Sequence, residues 1–147
     1  MNYKNKTKLK NAIKVLTALH FKKENIMVTG SIALDAQGLL TNRIAHDVDV
    51  IIKMDDQTWR CLRLIEAIQN CDKENVKDYP GSDMITLVSD EVTINIWKWG
   101  PNYDWSELKD EETGVYVATV NHIIKAKKEY ARNKDIVDIY NIIKELV

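Results

Sequence analysis

The chain has 147 residues, of which 45% are apolar and 29% are charged, and its formal net charge is −1. This length suffices for one domain with a buried core, and the near-neutral charge gives no general attraction to nucleic acid. No apolar run approaches the ~20 residues of a membrane span, no signal peptide is evident, and Cys61 and Cys71 lack metal-ligand spacing. We therefore expect one cytoplasmic domain with reduced thiols.

The first part of the chain predicts a helix, a strand and a second, short helix. Apolar residues recur at helical spacing over residues 8–21, and the apolar run at 26–28 is typical of a buried strand. Gly30 and Ser31 follow this run directly. Glycine lets backbone approach a ligand closely, and serine is a good helix N-cap. We expect Ser31 to cap a helix over residues 32–36, whose free amides would form a phosphate cradle.

Residues 47–52 predict a second strand, which carries two acids one residue apart. Because side chains alternate along a strand, Asp47 and Asp49 project to one face and the intervening valines project toward a core. Two carboxylates about 6–7 Å apart along a strand can converge on hard cations. An exposed strand edge also accommodates two acids. The pair alone is therefore as consistent with ordinary protein surface as with a metal site.

A third helix and a β-hairpin are predicted next. The helix covers residues 55–70 and has an acidic residue near its N-cap. Two strand-like runs at 84–88 and 92–99 are separated by a short polar segment, which is the signal of a hairpin. The helical residues predicted to face inward are Trp59, Leu62, Ile65, Ala67 and Ile68.

The last third of the chain predicts a loop followed by a short strand and helices. The loop over residues 100–114 is rich in acids, and we expect Trp105 and Leu108 to anchor it. The other features predicted by local composition are a turn at Pro80-Gly81, a short strand at 115–118, and helices over 121–130 and 135–146.

The stretch from residue 26 to residue 53 resembles the signature of the nucleotidyltransferase superfamily, which has the polymerase-beta-like fold. In that family a Gly-Ser or Gly-Gly turn precedes a strand with a hydrophobic-Asp-hydrophobic-Asp-hydrophobic motif. The finer pattern is similar to that of the antibiotic (lincosamide and aminoglycoside) nucleotidyltransferases and the toxin-type nucleotidyltransferases. The residues that carry the resemblance are Gly30, Ala33, Asp35, Gly38, Arg43, His46, Asp47 and Asp49.

The resemblance implies an α+β fold, with helices packed on a nucleotidyltransferase-like mixed β-sheet. One domain would cover residues 1–147, with the sheet core up to residue 118 and closing C-terminal helices from residue 119. Asp47 and Asp49 would then hold Mg²⁺ or Mn²⁺, and the Gly-Ser turn would bind the phosphates of a nucleoside triphosphate.

Two basic residues are further candidates for nucleotide binding. Arg43 has the geometry to hold a phosphate with two hydrogen bonds, and pairing with Asp35 or Asp47 is an equally good interpretation. The resemblance implies that Lys125 reaches the triphosphate. The other cations near Lys125 are more typical of a solvated helical face.

The family usually has a third carboxylate on a later strand, beside the first two, and here the matching position is Asn95. An amide can ligate a hard cation weakly through its carbonyl oxygen, but it cannot act as a general base. Losing such a base typically lowers the rate by a factor of ~10²–10⁴. Glu91 is nearby, but it needs a shift of strand register to reach the site.

Three functions remain open at this point. The first is a Mg²⁺-dependent enzyme that transfers a nucleoside monophosphate to a hydroxyl of a small molecule, a protein or a tRNA. The second is a catalytically impaired module of the same fold that binds a nucleotide or a partner. The third is an interaction domain in which the acid pair is structural. No membrane partner is expected.

Overall fold

The fold is seen in a computed structural model that describes residues 1–39, 43–70, 84–101 and 103–130, and positions 137, 140, 141, 143 and 144. Most of the helix predicted over 135–146, the turn at Pro80-Gly81, and Cys71 lie outside the described residues. Within them, the protein is an α+β fold in which helices pack on one five-stranded mixed sheet, as predicted. No helix in the described part combines the length and the apolar character needed to cross a bilayer.

Helices and strands alternate irregularly along the chain. The helices are α1 (Tyr3–Ala18), α2 (Gly30–Ala36), α3 (Asp56–Asn70) and α4 (Val120–Tyr130), and a 3-10 turn covers Lys23–Asn25. The strands are β1 (Ile26–Thr29), β2 (Val48–Ile52), β3 (Met84–Val88), β4 (Thr93–Lys98) and β5 (Tyr116–Val117).

The sheet has the strand order β3-β4-β2-β1-β5, so β2 lies at its centre. Strand β2 pairs antiparallel with β1 and parallel with β4, and Asp49 lies opposite Thr29 on one side and Asn95 on the other. Strands β3 and β4 form the predicted antiparallel hairpin. The parallel pairing of β5 with β1 brings the C-terminal part of the described chain against the first strand.

The two faces of the sheet differ in chemistry. The inner face buries the alternate apolar residues of each strand, and apolar residues of all four helices join them in one core cluster. We call the opposite side the outer face; Asp49, Asn95 and Thr86 lie there in one row across three strands. The inner-face residues are Ile26, Val28, Val48, Val50, Ile52, Ile85, Leu87, Ile94, Ile96 and Val117.

Several helix predictions were wrong in detail. Helix α1 begins five residues earlier than predicted, because the side chain of Asn2 accepts a hydrogen bond from the Lys4 N–H at 2.9 Å and caps it. Helix α2 begins at Gly30 and its N-cap is Thr29, so Ser31 is a residue of the first turn and not the cap. The predicted acidic cap of α3 is confirmed, because the Asp55 carboxylate accepts the Thr58 N–H at 2.7 Å.

Two predictions about anchoring side chains also failed. On α3, Leu62 is buried and Trp59 and Ile65 pack partly against the core, but Ala67 is exposed and Ile68 is 71% exposed. The last turns of α3 lie against the outer edge of β3 through polar side chains, and this contact leaves Ile68 on the solvent side. In the loop before β5, Trp105 packs against the core as expected, whereas Leu108 is 43% exposed.

Candidate functional site

The two acids and Asn95 meet on the outer face of the sheet. Strand β2 carries Asp49, and Asp47 lies just before the strand begins. Asn95 is the register partner of Asp49 on β4. Its amide nitrogen Nδ2 donates hydrogen bonds to Asp49 Oδ1 at 3.0 Å and to Asp47 Oδ2 at 3.2 Å. The predicted placement of Asn95 beside the pair is therefore confirmed, and both carboxylates lie within reach of one atom.

Thr86 extends this row onto the hairpin partner strand. It lies opposite Asn95 on β3, and its hydroxyl donates to Asn95 Oδ1 at 2.8 Å. The amide is thus held with its nitrogen toward the acids and its carbonyl oxygen toward Thr86. Because a hydroxyl both donates and accepts, Thr86 can keep a hydrogen bond if the amide rotates and presents its oxygen to the acid pair.

Gly30 lies directly against one of the acids. Its φ angle is +67°, a left-handed conformation that favours glycine, and a Cβ at this position would lie 2.5 Å from Asp49 Oδ2. Only glycine lets the chain turn from β1 into α2 this close to the carboxylate. The proximity of the Gly-Ser turn to the acid pair, inferred from the motif, is thus a direct contact between the turn and Asp49.

Ser31 lies in the first turn of α2 and is half-buried. Its hydroxyl forms no hydrogen bond within the part of the chain that the structure describes. Ser31 directly follows Gly30, the residue that lies against Asp49.

A buried polar cluster fastens the segment that leads to the acid pair. Asn5 and Asp35 are both fully buried, and Asn5 Nδ2 donates to Asp35 Oδ2 at 2.8 Å and to the carbonyl oxygen of Arg43 at 2.9 Å. Asn5 Oδ1 accepts the N–H of Ala45 at 2.9 Å, and the N–H of Asn2 donates to Asp35 Oδ2 at 2.8 Å. Asn5 of α1 thereby holds both ends of the backbone from residue 43 to residue 45, just before Asp47, and Asp35 of α2 holds Asn5 in place.

Arg43, His46 and Lys125, which the sequence also singled out, differ in how the structure places them relative to Asp47 and Asp49. Arg43 is half-buried, and its backbone is fixed by Asn5 a few residues before Asp47. His46 is exposed. Lys125 is exposed on α4 and forms no ion pair with the described residues, so the structure does not bring it into contact with the acids.

The arrangement fits a weak site for a hard cation. The two carboxylates could supply oxygen ligands, and Asn95 could supply a carbonyl oxygen after rotation of its amide. Without a cation, the amide N–H groups of Asn95 offset the repulsion between the acids. No group of three or more His, Cys, Asp or Glu side chains suited to a metal ion occurs among the described residues. The centre therefore has one carboxylate fewer than a three-acid metal site.

Thr86 and Asn5 contact the site or its approach and were not singled out from the sequence. Thr86 was accessible to prediction, because counting back through the hairpin turn places it opposite Asn95. No local pattern points to Asn5, which is separated from Ala45 by 40 residues. Its polar side chain in an otherwise apolar helix face was the one available signal.

Comparison of the chain with models of protein families, with curated proteins and with solved structures returned no match.

Proposed function

We propose that this protein is a Mg²⁺- or Mn²⁺-dependent nucleotidyltransferase with a polymerase-beta-like fold. The observation that carries the proposal is the convergence of Asp47 and Asp49 on one amide, with Gly30 in contact with Asp49. The strand arrangement supports it as well, because the strand that carries the acids pairs antiparallel with the strand before the Gly-Ser turn and parallel with the strand of Asn95.

In the proposed reaction a hydroxyl oxygen of the acceptor attacks the α-phosphorus of a nucleoside triphosphate. The bond from the α-phosphorus to its bridging oxygen breaks, and pyrophosphate leaves. Asp47 and Asp49 would hold the cation, which neutralises charge on the phosphates. Gly30, Ser31, Arg43 and Lys125 are the proposed phosphate-binding residues. Since Asn95 cannot accept the hydroxyl proton, this proton passes to solvent or to a basic group of the acceptor.

The acceptor is a hydroxyl of a small molecule, a protein or a tRNA. The test is pyrophosphate release from each of the four nucleoside triphosphates with Mg²⁺ or Mn²⁺ and a panel of these acceptors. We expect release by the parent protein and none by Asp47→Asn or Asp49→Asn. Equal release by the parent and by both variants contradicts the assignment of the acids.

A second candidate function is favoured by one specific observation. The amide nitrogen of Asn95, a hydrogen-bond donor, faces both acids at the place where an enzyme would carry a base. A protein that binds nucleotides without turning them over fits this feature. It would show cation-dependent stabilisation by nucleotide and no pyrophosphate release with any acceptor.

A further inference from the structure

The outer face of the sheet has a second row of side chains beside the acids. Two residues beyond Asp49 and Asn95 along their strands, Ile51 lies opposite Trp97, and Met84 on β3 lies opposite Trp97 on the other side. We call Met84, Trp97 and Ile51 the apolar row. Residues two apart on a strand project to the same face about 7 Å from each other. The apolar row therefore runs parallel to the polar row of Thr86, Asn95 and Asp49.

Trp97 differs from the other tryptophans in its contacts. Trp99 donates its indole N–H to the Tyr103 carbonyl at 2.9 Å, and the ammonium of Lys53 lies 5.2 Å from its ring and 4.3 Å from that of Trp105. Trp59 is covered by Arg63 at 5.3 Å. The side chain of Trp97 belongs to a half-buried residue, and its indole forms no hydrogen bond and no ring contact within the described part of the chain.

An indole in this position has the properties of a stacking surface. The indole lies on the same side of the sheet as the acids, and within the described residues it contacts no other aromatic ring and no cation. Aromatic side chains bind nucleobases by stacking with little dependence on which base is present. The two rows are about 7 Å apart. This separation matches a nucleotide whose phosphates lie on the acids and whose base is joined to them through the ribose.

We propose that Trp97 is the base-binding floor of the site and stacks on the nucleobase of a nucleoside triphosphate held at Asp47 and Asp49. This inference rests on the proposed function and specifies it. The triphosphate lies on the polar row, the ribose crosses between the rows, and the base lies on Trp97. Because stacking reads no hydrogen-bond pattern, the protein discriminates only weakly among the four bases.

The test separates the base from the phosphates. Calorimetry with Mn²⁺ measures binding of non-hydrolysable analogues of the four nucleoside triphosphates, and of inorganic tripolyphosphate as a probe without a ring. We expect Trp97→Leu to weaken nucleotide binding about tenfold or more and to leave tripolyphosphate binding unchanged. Trp97→Phe, which keeps a ring, should retain most of the affinity. Trp59→Leu is the matched control on α3 and should leave both ligands unaffected.

The failures of the two proposals are distinguishable. Unchanged nucleotide binding by Trp97→Leu, with binding lost in Asp49→Asn, overturns the role of Trp97 and leaves the acid site in place. Equal weakening of nucleotide and tripolyphosphate by Trp97→Leu also overturns it, because the residue then acts on the whole site and not on the base. If the parent protein binds neither ligand, the proposed function fails and the base-binding floor fails with it.

Discussion

At the level of single residues, Asp49 is the most constrained group of the candidate site. The Asn95 amide contacts it from the neighbouring strand, and the backbone of Gly30 lies so close that no side chain fits between them. Its position thus depends on two residues from different elements. Substitutions of either neighbour are the most selective way to perturb the acid pair without removing a carboxylate.

Replacing Gly30 with alanine should harm both folding and binding. A left-handed backbone costs a non-glycine residue roughly 1–2 kcal/mol, and the added methyl group would push the Asp49 carboxylate from its place. We expect Gly30→Ala to lower the free energy of unfolding by at least that amount and to weaken Mn²⁺-dependent nucleotide binding. The two readouts are chemical denaturation and calorimetry.

Gly38 provides the matched control for this prediction. Its φ angle is +80°, but a Cβ there would meet nothing within 4 Å. Gly38→Ala should therefore lower the unfolding free energy similarly and leave nucleotide binding intact. If both variants bind nucleotide as the parent does, the contact between Gly30 and Asp49 is unimportant for the site.

Replacing Asn95 with aspartate tests whether the third position is a degenerate metal ligand. The change removes the two N–H donors and places a third carboxylate beside Asp47 and Asp49, so the cation-free protein should become less stable. We expect Asn95→Asp to lower the melting temperature in EDTA, to gain more stability from Mn²⁺ than the parent does, and to transfer nucleotides up to ~10²-fold faster. An active parent that this substitution inactivates would refute the idea.

At the level of elements, α3 shields the exposed edge of the sheet. Glu66 Oε2 accepts the Thr86 N–H at 2.6 Å, Arg63 donates to the Met84 carbonyl at 3.0 Å, and Gln69 bonds both the N–H and the carbonyl of Val88. These side chains occupy backbone groups of β3 that would otherwise be open to another strand. The helix thereby protects the hairpin that carries Thr86 from edge-to-edge association.

Removing the hydrogen bond between Glu66 and the Thr86 N–H should expose the outer edge of β3. Glu66→Ala leaves the Thr86 N–H without its charged acceptor, and hydrogen bonds to charged groups contribute about 1.5–3 kcal/mol. We expect a loss of stability in that range and increased aggregation on heating, measured by denaturation and light scattering. Glu66→Gln keeps an oxygen acceptor and should be milder. Equal losses in the two variants would assign the effect to the charge, and parent-like stability of both would show that the contact is unimportant.

The alternation of residue types made the central strands predictable. Apolar and polar positions alternate through residues 47–50 and 93–96, so the sequence indicated the faces of both strands and the face on which Asn95 lies. The start of α1 was missed because a single asparagine caps it. Ile68 was misassigned because helical periodicity cannot tell that the last turns of α3 contact a strand edge through glutamate and glutamine.

Long-range pairings account for what the sequence could not predict. The position of β5 beside β1 joins residues about 90 apart, and nothing local specifies it. The same is true of the contact between Gly30 and Asp49, which depends on how β1 and β2 pair. The motif therefore predicted that Asp47, Asp49 and Asn95 lie together, and the sheet register determined how they touch.

At the level of the whole molecule, a surface ion cluster links the first helix to the segment before the last strand. Lys6 and Lys10 of α1 both contact Glu112, at 2.7 and 2.9 Å. The hydrogen bonds from Lys6 and then Lys10 hold the pKa of the Glu112 carboxyl below its usual value. Because all three side chains are well exposed, their contribution to stability is small and sensitive to salt.

The pH dependence of this cluster follows from the sign of the shift. A carboxyl whose pKa is lower in the folded state stabilises the fold above its unfolded pKa, and this contribution disappears as the pH falls through the folded pKa. We expect the melting temperature of Glu112→Gln to lie slightly below that of the parent at neutral pH and low salt. In strong acid or in 1 M salt the two melting temperatures should be equal. A melting difference independent of pH would assign the effect to packing and not to charge.

The central claim is that Asp47 and Asp49 form a cation and nucleotide site, and a crystal of the protein with Mn²⁺ and a non-hydrolysable nucleoside triphosphate tests it most directly. The account predicts anomalous scattering from Mn²⁺ between the two carboxylates, with the phosphates beside Gly30. It also predicts that Asn95 turns its carbonyl oxygen toward the ion while Thr86 keeps its hydrogen bond. Nucleotide bound elsewhere, or an acid pair without Mn²⁺ and still bridged by the Asn95 amide nitrogen, would contradict the claim.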